Sequence, residues 1–335
     1  MKIAHILPAS VIFPLNSHNG RYEWVLSLAS LQAKSGHDVT VYCNQNAHID
    51  GVRTKGVQHL TDDKKSNNKE VFRLALSDDS DIYHSHFDNL HYEMSHETTK
   101  PIVYTQHWLP EENTIQLAQT TSSKNVWAVP PTNYMYKFDT NSGIQSKGFI
   151  YHGIDLELFH TSSTRKNGRL LFVGRISQQK NLDIALSTAR RTGVGLDIIG
   201  KVTQKDQEYW EKLQPLVDGE QIRYLGPKSH DELVHYYSSA RAVIFPSDIN
   251  ETFGLVAIES QACGTPIIMK RGGSRGELLE EGVTGFLCET ADDFDAAVNS
   301  ASKLRPIDCT NFAKKFDIRV MAKHYEDLYN DLLAS

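Results

Sequence analysis

Glu251 and Glu259 flank a segment whose apolar spacing predicts the start of a helix. Ionised carboxylates accept hydrogen bonds from hydroxyl groups, so this pair could bind two parts of an extended ligand, such as a sugar and a ribose. The amides of Phe253, Gly254 and Leu255 lie between them, and unpaired N–H groups at a helix start favour an anion such as phosphate. Spacing alone favours a simpler interpretation, in which both glutamates are solvated or salt-bridged.

The elements around this pair predict a parallel α/β unit. Residues 242–245 form a continuous apolar run, typical of a buried parallel strand, and Pro246 ends it. Residues 253–262 have helical spacing and good helix formers, and Gly264 ends that helix before a second strand at 266–269. Ligands of open α/β sheets bind at the carboxyl ends of the strands, which is where this helix begins.

The same stretch resembles the motif of the family 4 retaining glycosyltransferases, in which seven residues separate two glutamates and Phe-Gly-Leu follows shortly after the first. Phe253, Gly254 and Leu255 occupy those positions here. The resemblance implies the α/β GT-B fold, with two doubly wound, Rossmann-like domains and an interdomain cleft. It also implies that Glu251 orients the donor sugar hydroxyls, that Glu259 binds the ribose hydroxyls, and that the amides between them bind the donor.

A second motif combines glycine with two cations. Residues 170–173 predict a buried strand that ends at Gly174 and Arg175, and Lys180-Asn181 follow at a predicted helix start. Glycine lets the backbone approach a phosphate, and the cations neutralise it, although such cations are also ordinary in loops. The family motif has the same Gly-Arg and Lys-Asn pairs at this spacing. The resemblance therefore implies that Arg175 and Lys180 stabilise a departing nucleoside diphosphate and that Gly174 binds the donor.

The N-terminal half predicts a second unit of this kind. A strand at 2–7, a turn region ending at Gly20, a helix at 21–35 and a strand at 38–43 indicate a doubly wound start. Relatives have two adjacent glycines near the donor phosphates, and only Gly20 matches, because Asn19 precedes it. His107 follows a strand at 101–106, and relatives carry a histidine there, near the anomeric carbon of the donor. The next residue, Trp108, either lines a sugar or acceptor pocket or packs.

Metal binding is not predicted. His84 and His86 share a strand face, but no nearby cysteine or carboxylate set completes a ligand pattern, so histidines lining a cleft are the simpler interpretation. The four cysteines form no Cys-x-x-Cys pair and predict free, buried thiols. A polar segment at 161–168 without apolar periodicity predicts a linker.

Composition limits the classes of partner. The formal net charge of −6 makes nucleic acid an unfavourable partner, and mixed charges at residues 62–70 argue against membrane docking beyond a weak association. The N-terminus lacks a signal-length apolar core, and no run approaches the length of a membrane span, so the cytoplasm is the predicted location.

The length of 335 residues predicts two domains. We place an N-terminal, acceptor-side domain at residues 1–155, to which a terminal helix at about 317–335 returns, and a nucleotide-sugar-binding domain at residues 156–316. The predicted reaction moves a hexosyl group from a UDP- or GDP-sugar to the hydroxyl of a carbohydrate or lipid-linked acceptor, with retained configuration. It needs no metal and no cofactor besides the donor, and it suits the synthesis of glycans or glycoconjugates. The alternatives are a non-catalytic GT-B protein that binds nucleotide sugars or glycans, and a GT-B epimerase or phosphorylase.

Overall fold

A computed structural model describes residues 1–11, 20–44, 49, 51–57, 61–121, 124–162, 166–247 and 252–335. The chain divides into two compact units. The N-terminal unit comprises Met1–Gly153 and Ile318–Ser335, and the C-terminal unit comprises Ile154–Asp317. Among the described residues, no helix has both the length and the apolar character needed to cross a membrane.

The N-terminal unit contains a six-stranded parallel sheet with the strand order β3-β2-β1-β4-β5-β6. Its strands are β1 (Lys2–Ile6), β2 (Asp38–Cys43), β3 (Arg53–Gly56), β4 (Ile82–Ser85), β5 (Ile102–Thr105) and β6 (Val126–Val129). Its helices are α1 (Gly20–Lys34), α2 (Lys64–Leu76), α3 (Leu90–Met94), α4 (Glu112–Thr120), α5 (Asn133–Asn141) and, at the end of the chain, α12 (Ile318–Ala334).

The C-terminal unit repeats this architecture with the strand order β12-β11-β10-β7-β8-β9. Its strands, all parallel, are β7 (Leu170–Val173), β8 (Leu196–Ile199), β9 (Ile222–Tyr224), β10 (Ala242–Phe245), β11 (Ile267–Lys270) and β12 (Gly285–Cys288). Its helices are α6 (Leu182–Thr192), α7 (Gln207–Leu213), α8 (His230–Ser239), α9 (Leu255–Ala262), α10 (Ala291–Ala301) and α11 (Pro306–Ala313).

Apolar residues on both faces of each sheet explain the parallel arrangement. The strands β7, β8 and β10 are buried along their whole length, because helices cover both faces of a parallel sheet. Helix α12 buries a stripe at i, i+3, i+4 and i+7 spacing that includes Ile318, Met321 and Tyr325, and this stripe joins the core of the N-terminal unit. The four cysteines are buried and free, which confirms that prediction.

Two local predictions are wrong. Asn181 has a left-handed φ of 49°, so Lys180 ends a 3-10 turn and the α-helix begins only at Leu182. Residues 161–168 do not form a linker, because Thr161, Ser162 and the described residues 166–168 belong to the C-terminal unit.

Candidate active site

Both sheets have a switch point, where the chain reverses the direction in which strands are added. It lies between β1 and β4 in the N-terminal unit and between β7 and β10 in the C-terminal unit. Helices that follow the two central strands cover opposite faces at such a point, which leaves a crevice at the carboxyl ends of the strands. Gly174 and Phe253 follow β7 and β10, respectively, so two predicted groups of donor-binding residues converge on the second crevice.

The loop after β7 carries Gly174, Arg175 and Lys180. Gly174 has a φ of +151°, a conformation that side-chain-bearing residues rarely adopt. The guanidinium of Arg175 lies 3.7 Å from a carboxylate oxygen of Asp206 and donates a 3.4 Å hydrogen bond to the amide oxygen of Gln179. The Lys180 ammonium lies 5.2 Å above the ring centroid of Phe245, the last residue of β10. Lys180 therefore reaches from the β7 loop to the neighbouring strand across the crevice.

Hydrogen bonds tie this loop to the loop that follows β10. The Asn181 side-chain amide donates to the Pro246 carbonyl at 3.0 Å, and the Ser247 hydroxyl donates to the Gln179 carbonyl at 3.4 Å. Because Asn181 directly follows Lys180, its left-handed backbone and its side-chain bond together set the direction in which the lysine leaves the loop.

Gly200, after β8, supports the backbone of Gly174. A Cβ atom at Gly200 would lie 1.8 Å from the Gly174 carbonyl oxygen, far inside van der Waals contact. We expect Gly200→Ala to lower the free energy of unfolding by about 3 kcal/mol, the upper range for overpacking, because the clash is with backbone. Gly276→Ala is the matched control, since its φ is not positive and a Cβ there meets no atom within 4 Å. Equal urea midpoints for the two variants would contradict the expectation.

The sequence predicted a helix that begins at residue 253, and the observed helix begins two residues later. Helix α9 begins at Leu255, and Gly254 is its N-cap with a φ of 91°, a left-handed conformation that glycine adopts without strain. Phe253 is buried and its ring lies 5.8 Å from that of Phe316, so it anchors the entry to the helix. Residue Leu255 is thus the only one of the three predicted amide donors that lies inside α9.

Glu251 lies outside the described residues, but both ends of its segment are held by side chains. Arg275, which is 1% exposed, donates a 2.9 Å hydrogen bond to the Ser247 carbonyl, and the Ser274 hydroxyl donates one of 2.9 Å to the Thr252 carbonyl. Ser274 and Arg275, in the glycine-rich stretch after β11, therefore hold the two residues that flank this segment, Thr252 and Ser247. Burying an arginine costs free energy, which hydrogen bonds such as the one to the Ser247 carbonyl offset. The sequence did not indicate this role of Arg275.

Glu259 lies on the buried face of α9 and is 8% exposed. Its carboxylate accepts a 2.7 Å hydrogen bond from the Tyr237 hydroxyl on α8. Burial first, and then the Glu259 charge, raise the pKa of Tyr237 well above its ordinary value, so the tyrosine stays a donor. Tyr237 and Glu259 lie on different helices, so their hydrogen bond depends on how α8 and α9 pack.

In the N-terminal unit, His107 follows β5 and belongs to an aromatic cluster. Its ring lies 5.8 Å from Trp24 of α1, edge on, and 5.4 Å from His152, while Trp24 and His152 are 4.8 Å apart. Trp24 is fixed in turn by a 2.8 Å contact from its indole N–H to the Met321 sulfur. Gly20 is the first residue of α1, and the loop that precedes it lies outside the described residues.

A chain of hydrogen bonds passes through the switch point of the N-terminal sheet. His5 and His84 are register partners on β1 and β4, and both are fully buried. The bonds join neighbouring residues over 2.6–3.5 Å in the order His86, His5, Gln32, Tyr329, His84, Thr105 and Tyr325. The sequence pointed to His84 and His86 but not to His5, because only strand pairing brings it beside them.

The partners in this series of hydrogen bonds determine which nitrogen of each histidine ring carries the proton. The Gln32 carbonyl oxygen can only accept, so His5 donates from Nε2 and accepts at Nδ1 from His86 Nε2. Burial lowers the pKa of His5 to about 4 and that of His84 well below its ordinary value, so both rings are neutral. Ring nitrogens of His5, His84 and His86 lie within 4.8 Å of one another, a spacing that a metal ion could use. Such an ion would have to replace hydrogen bonds that already occupy both nitrogens of His5 and His84.

Two pockets flank these histidines within the N-terminal unit. One has a volume of about 230 Å³ and is bordered by His107 and Trp108, and the other has a volume of about 460 Å³ and is bordered by His86 and Lys64. Phe87, Asp88 and Asn89, which follow β4, line both pockets. The predicted site residue His107 thus borders the first of these pockets.

Comparison with known sequences covers mainly the C-terminal unit. The sequence model of the family described as "Glycosyl transferases group 1" matches residues 157–316. The D-inositol 3-phosphate glycosyltransferase 1 of Catenulispora acidiphila is 35% identical over 167 residues, which are 43% of this chain and 40% of that protein. The alignment thus spans less than half of the relative's own length.

Comparison with solved structures covers the whole chain. The sucrose-phosphate synthase of Thermosynechococcus elongatus has a TM-score of 0.84 at 19% identity, with 99% of each chain covered. The Anabaena protein HepE, in complex with UDP and glucose, has a TM-score of 0.77 at 16% identity and covers 99% of this chain and 100% of its own. Together with the two parallel sheets, these likenesses confirm the predicted two-domain α/β GT-B fold.

Proposed function

Because residues 157–316 match the sequence model of the glycosyl transferases group 1 family, we propose that this chain transfers a hexosyl group from a nucleotide diphosphate sugar to an acceptor hydroxyl. The observation that carries the proposal is the crevice between β7 and β10, where Gly174, Arg175 and Lys180 follow β7, Lys180 reaches Phe245 at the end of β10, and α9 is the helix that follows β10. Two cations and a helix N-terminus suit a diphosphate, whose charge grows as the bond to the sugar breaks.

Each predicted residue has a role in this proposal. Arg175 and Lys180 stabilise the departing diphosphate, and Gly174 and Leu255 bring backbone amides towards it. Arg175 lies 3.7 Å from Asp206, so diphosphate binding exchanges one weak ion pair for a stronger one. Glu259 accepts a hydrogen bond from the ribose while Tyr237 holds the carboxylate in place.

The remaining roles concern the sugar and the acceptor. Glu251 orients the donor sugar hydroxyls, and Phe253 and Gly254 hold the turn that presents the helix amides. In the N-terminal unit, which we assign to the acceptor, His107 contacts the sugar near its anomeric centre and Gly20 contributes to donor binding. The anomeric C–O bond to the diphosphate breaks as the bond to the acceptor oxygen forms on the same face, and the proton of the acceptor hydroxyl passes to the departing diphosphate oxygen. We assign no protein nucleophile, and we propose retained configuration.

We further propose that the reaction needs neither a metal nor a cofactor besides the donor, because Arg175 and Lys180 supply the positive charge that a metal ion would otherwise provide. We propose UDP as the nucleotide of the donor, because the structurally similar HepE was solved in complex with UDP. The acceptor is a carbohydrate or lipid-linked hydroxyl in glycan or glycoconjugate synthesis. A cytoplasmic location and at most weak membrane association stay predictions.

A thermal-shift series with UDP, GDP and ADP, followed by transfer assays with the corresponding sugar nucleotides, tests the proposal. A nucleotide at one hundred times its Kd should add about 2.7 kcal/mol to the stability of the unit that binds it, a shift of several degrees in Tm. Product NMR then reports the anomeric configuration, and transfer in the presence of EDTA tests metal independence. Binding without turnover would favour a non-catalytic protein, and conversion of the sugar nucleotide without an acceptor would indicate an epimerase.

A further inference from the structure

The pocket beside His107 combines an exposed aromatic ring with hydroxyl-binding side chains. It lies at the carboxyl ends of β4 and β5, entirely within the N-terminal unit. Its lining comprises Phe87, Asp88, Asn89, Tyr104, Thr105, Gln106, His107, Trp108, Leu109, Pro110, Glu111 and Thr114. A cavity volume of about 230 Å³ suits a small ligand such as one sugar residue.

Trp108 is the most exposed large apolar side chain among the described residues, at 61%. Exposing an indole forgoes the stabilisation that its burial would provide, so an exposed tryptophan at the border of a pocket is a common feature of binding surfaces. Its flat face matches the apolar C–H face of a pyranose ring. Leu109 and Pro110 follow it and limit the conformations of the segment, so the ring is presented by a short, stiff stretch.

The charged groups of the pocket are carboxylates, which accept hydrogen bonds. Asp88 and Glu111 contribute carboxylates, and none of the described residues that line the pocket is Lys or Arg. Gln106 is 5% exposed; its amide N–H₂ donates to Asp139 at 3.1 Å, which turns the amide carbonyl away from that carboxylate. Within the described part of the chain, this carbonyl oxygen has no hydrogen-bond donor. That oxygen atom is itself inaccessible, so the exposed carboxylates of Asp88 and Glu111 are the acceptors that a ligand hydroxyl can reach.

The sign of the local charge excludes one class of ligand from this pocket. A phosphate dianion would face two carboxylates without a cation to compensate it, whereas a neutral sugar donates its hydroxyl protons to the same groups. The neighbouring pocket differs, because Lys64 and Lys65 line it, although Lys65 forms a 2.9 Å ion pair with Glu93. A phosphorylated acceptor would therefore be expected there.

We propose that the pocket bordered by Trp108 binds an uncharged carbohydrate acceptor, with a pyranose ring stacked on the indole and its hydroxyls donating to the carboxylates of Asp88 and Glu111. This inference rests on the proposed glycosyl transfer for its reaction, but its binding step stands alone. The uncharged acceptor would distinguish this chain from an enzyme whose acceptor is a sugar phosphate or an inositol phosphate.

The test uses the full chain and two matched sets of probes. One set is the methyl glycosides of glucose, galactose, mannose and N-acetylglucosamine, and the other is the 6-phosphates of the same sugars. Saturation-transfer NMR measures binding without turnover, and transfer assays with UDP-sugars measure KM and kcat for the acceptor. We expect contact signals and transfer with at least one neutral glycoside, and at least tenfold weaker binding of its 6-phosphate.

Trp108→Ala should raise the KM or Kd for the neutral acceptor about tenfold, the loss of one stacking contact, while Trp108→Phe should change it less than about threefold. Tyr134→Ala is the control, because Tyr134 is 40% exposed and does not line the pocket, and it should change neither value. Glycoside binding that depends on Trp108 without any transfer would overturn the proposed reaction but support the pocket. Preference for the 6-phosphates, lost in Lys64→Ala, would overturn the inference, as would the absence of binding by every neutral glycoside.

Discussion

Lys180→Ala should lower kcat for glycosyl transfer by about 10²- to 10³-fold, the cost typical of removing one preorganised group that stabilises developing charge. The reason is geometric. Lys180 reaches across the β7–β10 crevice to the ring of Phe245, and its direction is set by the left-handed backbone of Asn181. A charge held in that position before the reaction begins needs no rearrangement when the diphosphate departs.

The fold should tolerate this change. The ammonium–ring contact at a partly exposed site contributes only about 0.5 to 1 kcal/mol, so the Tm should fall by only a few degrees. Steady-state kinetics with a saturating acceptor, together with a urea titration, separate the two effects. The control is Lys212→Ala on α7, whose side chain is 69% exposed and pairs with Glu208. Activity of Lys180→Ala within threefold of the parent chain would contradict the assigned role.

The N-terminal unit should lose stability steeply on acidification, by roughly 2.7 kcal/mol per pH unit between about pH 6 and pH 4.5. Burial lowers the pKa of His5 to about 4, that of His91 to about 3 and that of His84 well below its ordinary value. These histidines take up protons on unfolding below pH 6.5, so the stability present above that value is lost as the pH falls.

Asp139 has the opposite effect. Burial raises its pKa to about 7, so the folded unit holds a proton there that the unfolded chain releases above pH 3.8. Three protons gained at the histidines and one lost at the aspartate leave about two taken up on unfolding. Each proton corresponds to a slope of about 1.4 kcal/mol per pH unit.

Urea titrations at several pH values measure this slope. In a Trp210→Phe background the remaining tryptophans, Trp24, Trp108 and Trp127, all lie in the N-terminal unit, so fluorescence follows that unit. His91→Phe should reduce the slope by about 1.4 kcal/mol per pH unit, because it removes one buried histidine whose ring stacks on Tyr104. His96→Gln, at an exposed position, is the matched control. A slope near zero in the parent chain would contradict the assignment of neutral, buried histidines.

Much of the fold could be predicted from local sequence, and the missed elements lie where the sequence is polar. The strands at 38–43, 170–173 and 242–245 were predicted with their observed bounds. The last two are continuous apolar runs, which are typical of buried strands in a parallel sheet. Strand β3 and helix α2 were not predicted. The sequence of β3 is Arg-Thr-Lys-Gly, typical of an edge strand protected by charge, and pairing with β2 decides its conformation.

The sequence by itself determined the order of most elements and the residue types after strand β7, including Gly174, Arg175 and Lys180, because apolar periodicity and glycine positions depend on neighbours in the chain. Only the tertiary structure decided which of these residues meet. His5 joins His84 through strand pairing across 79 residues, and Tyr237 meets Glu259 where two helices pack. Hydrogen bonds and burial act over a few ångströms in space, and separation along the chain does not encode those distances until the sheet is formed.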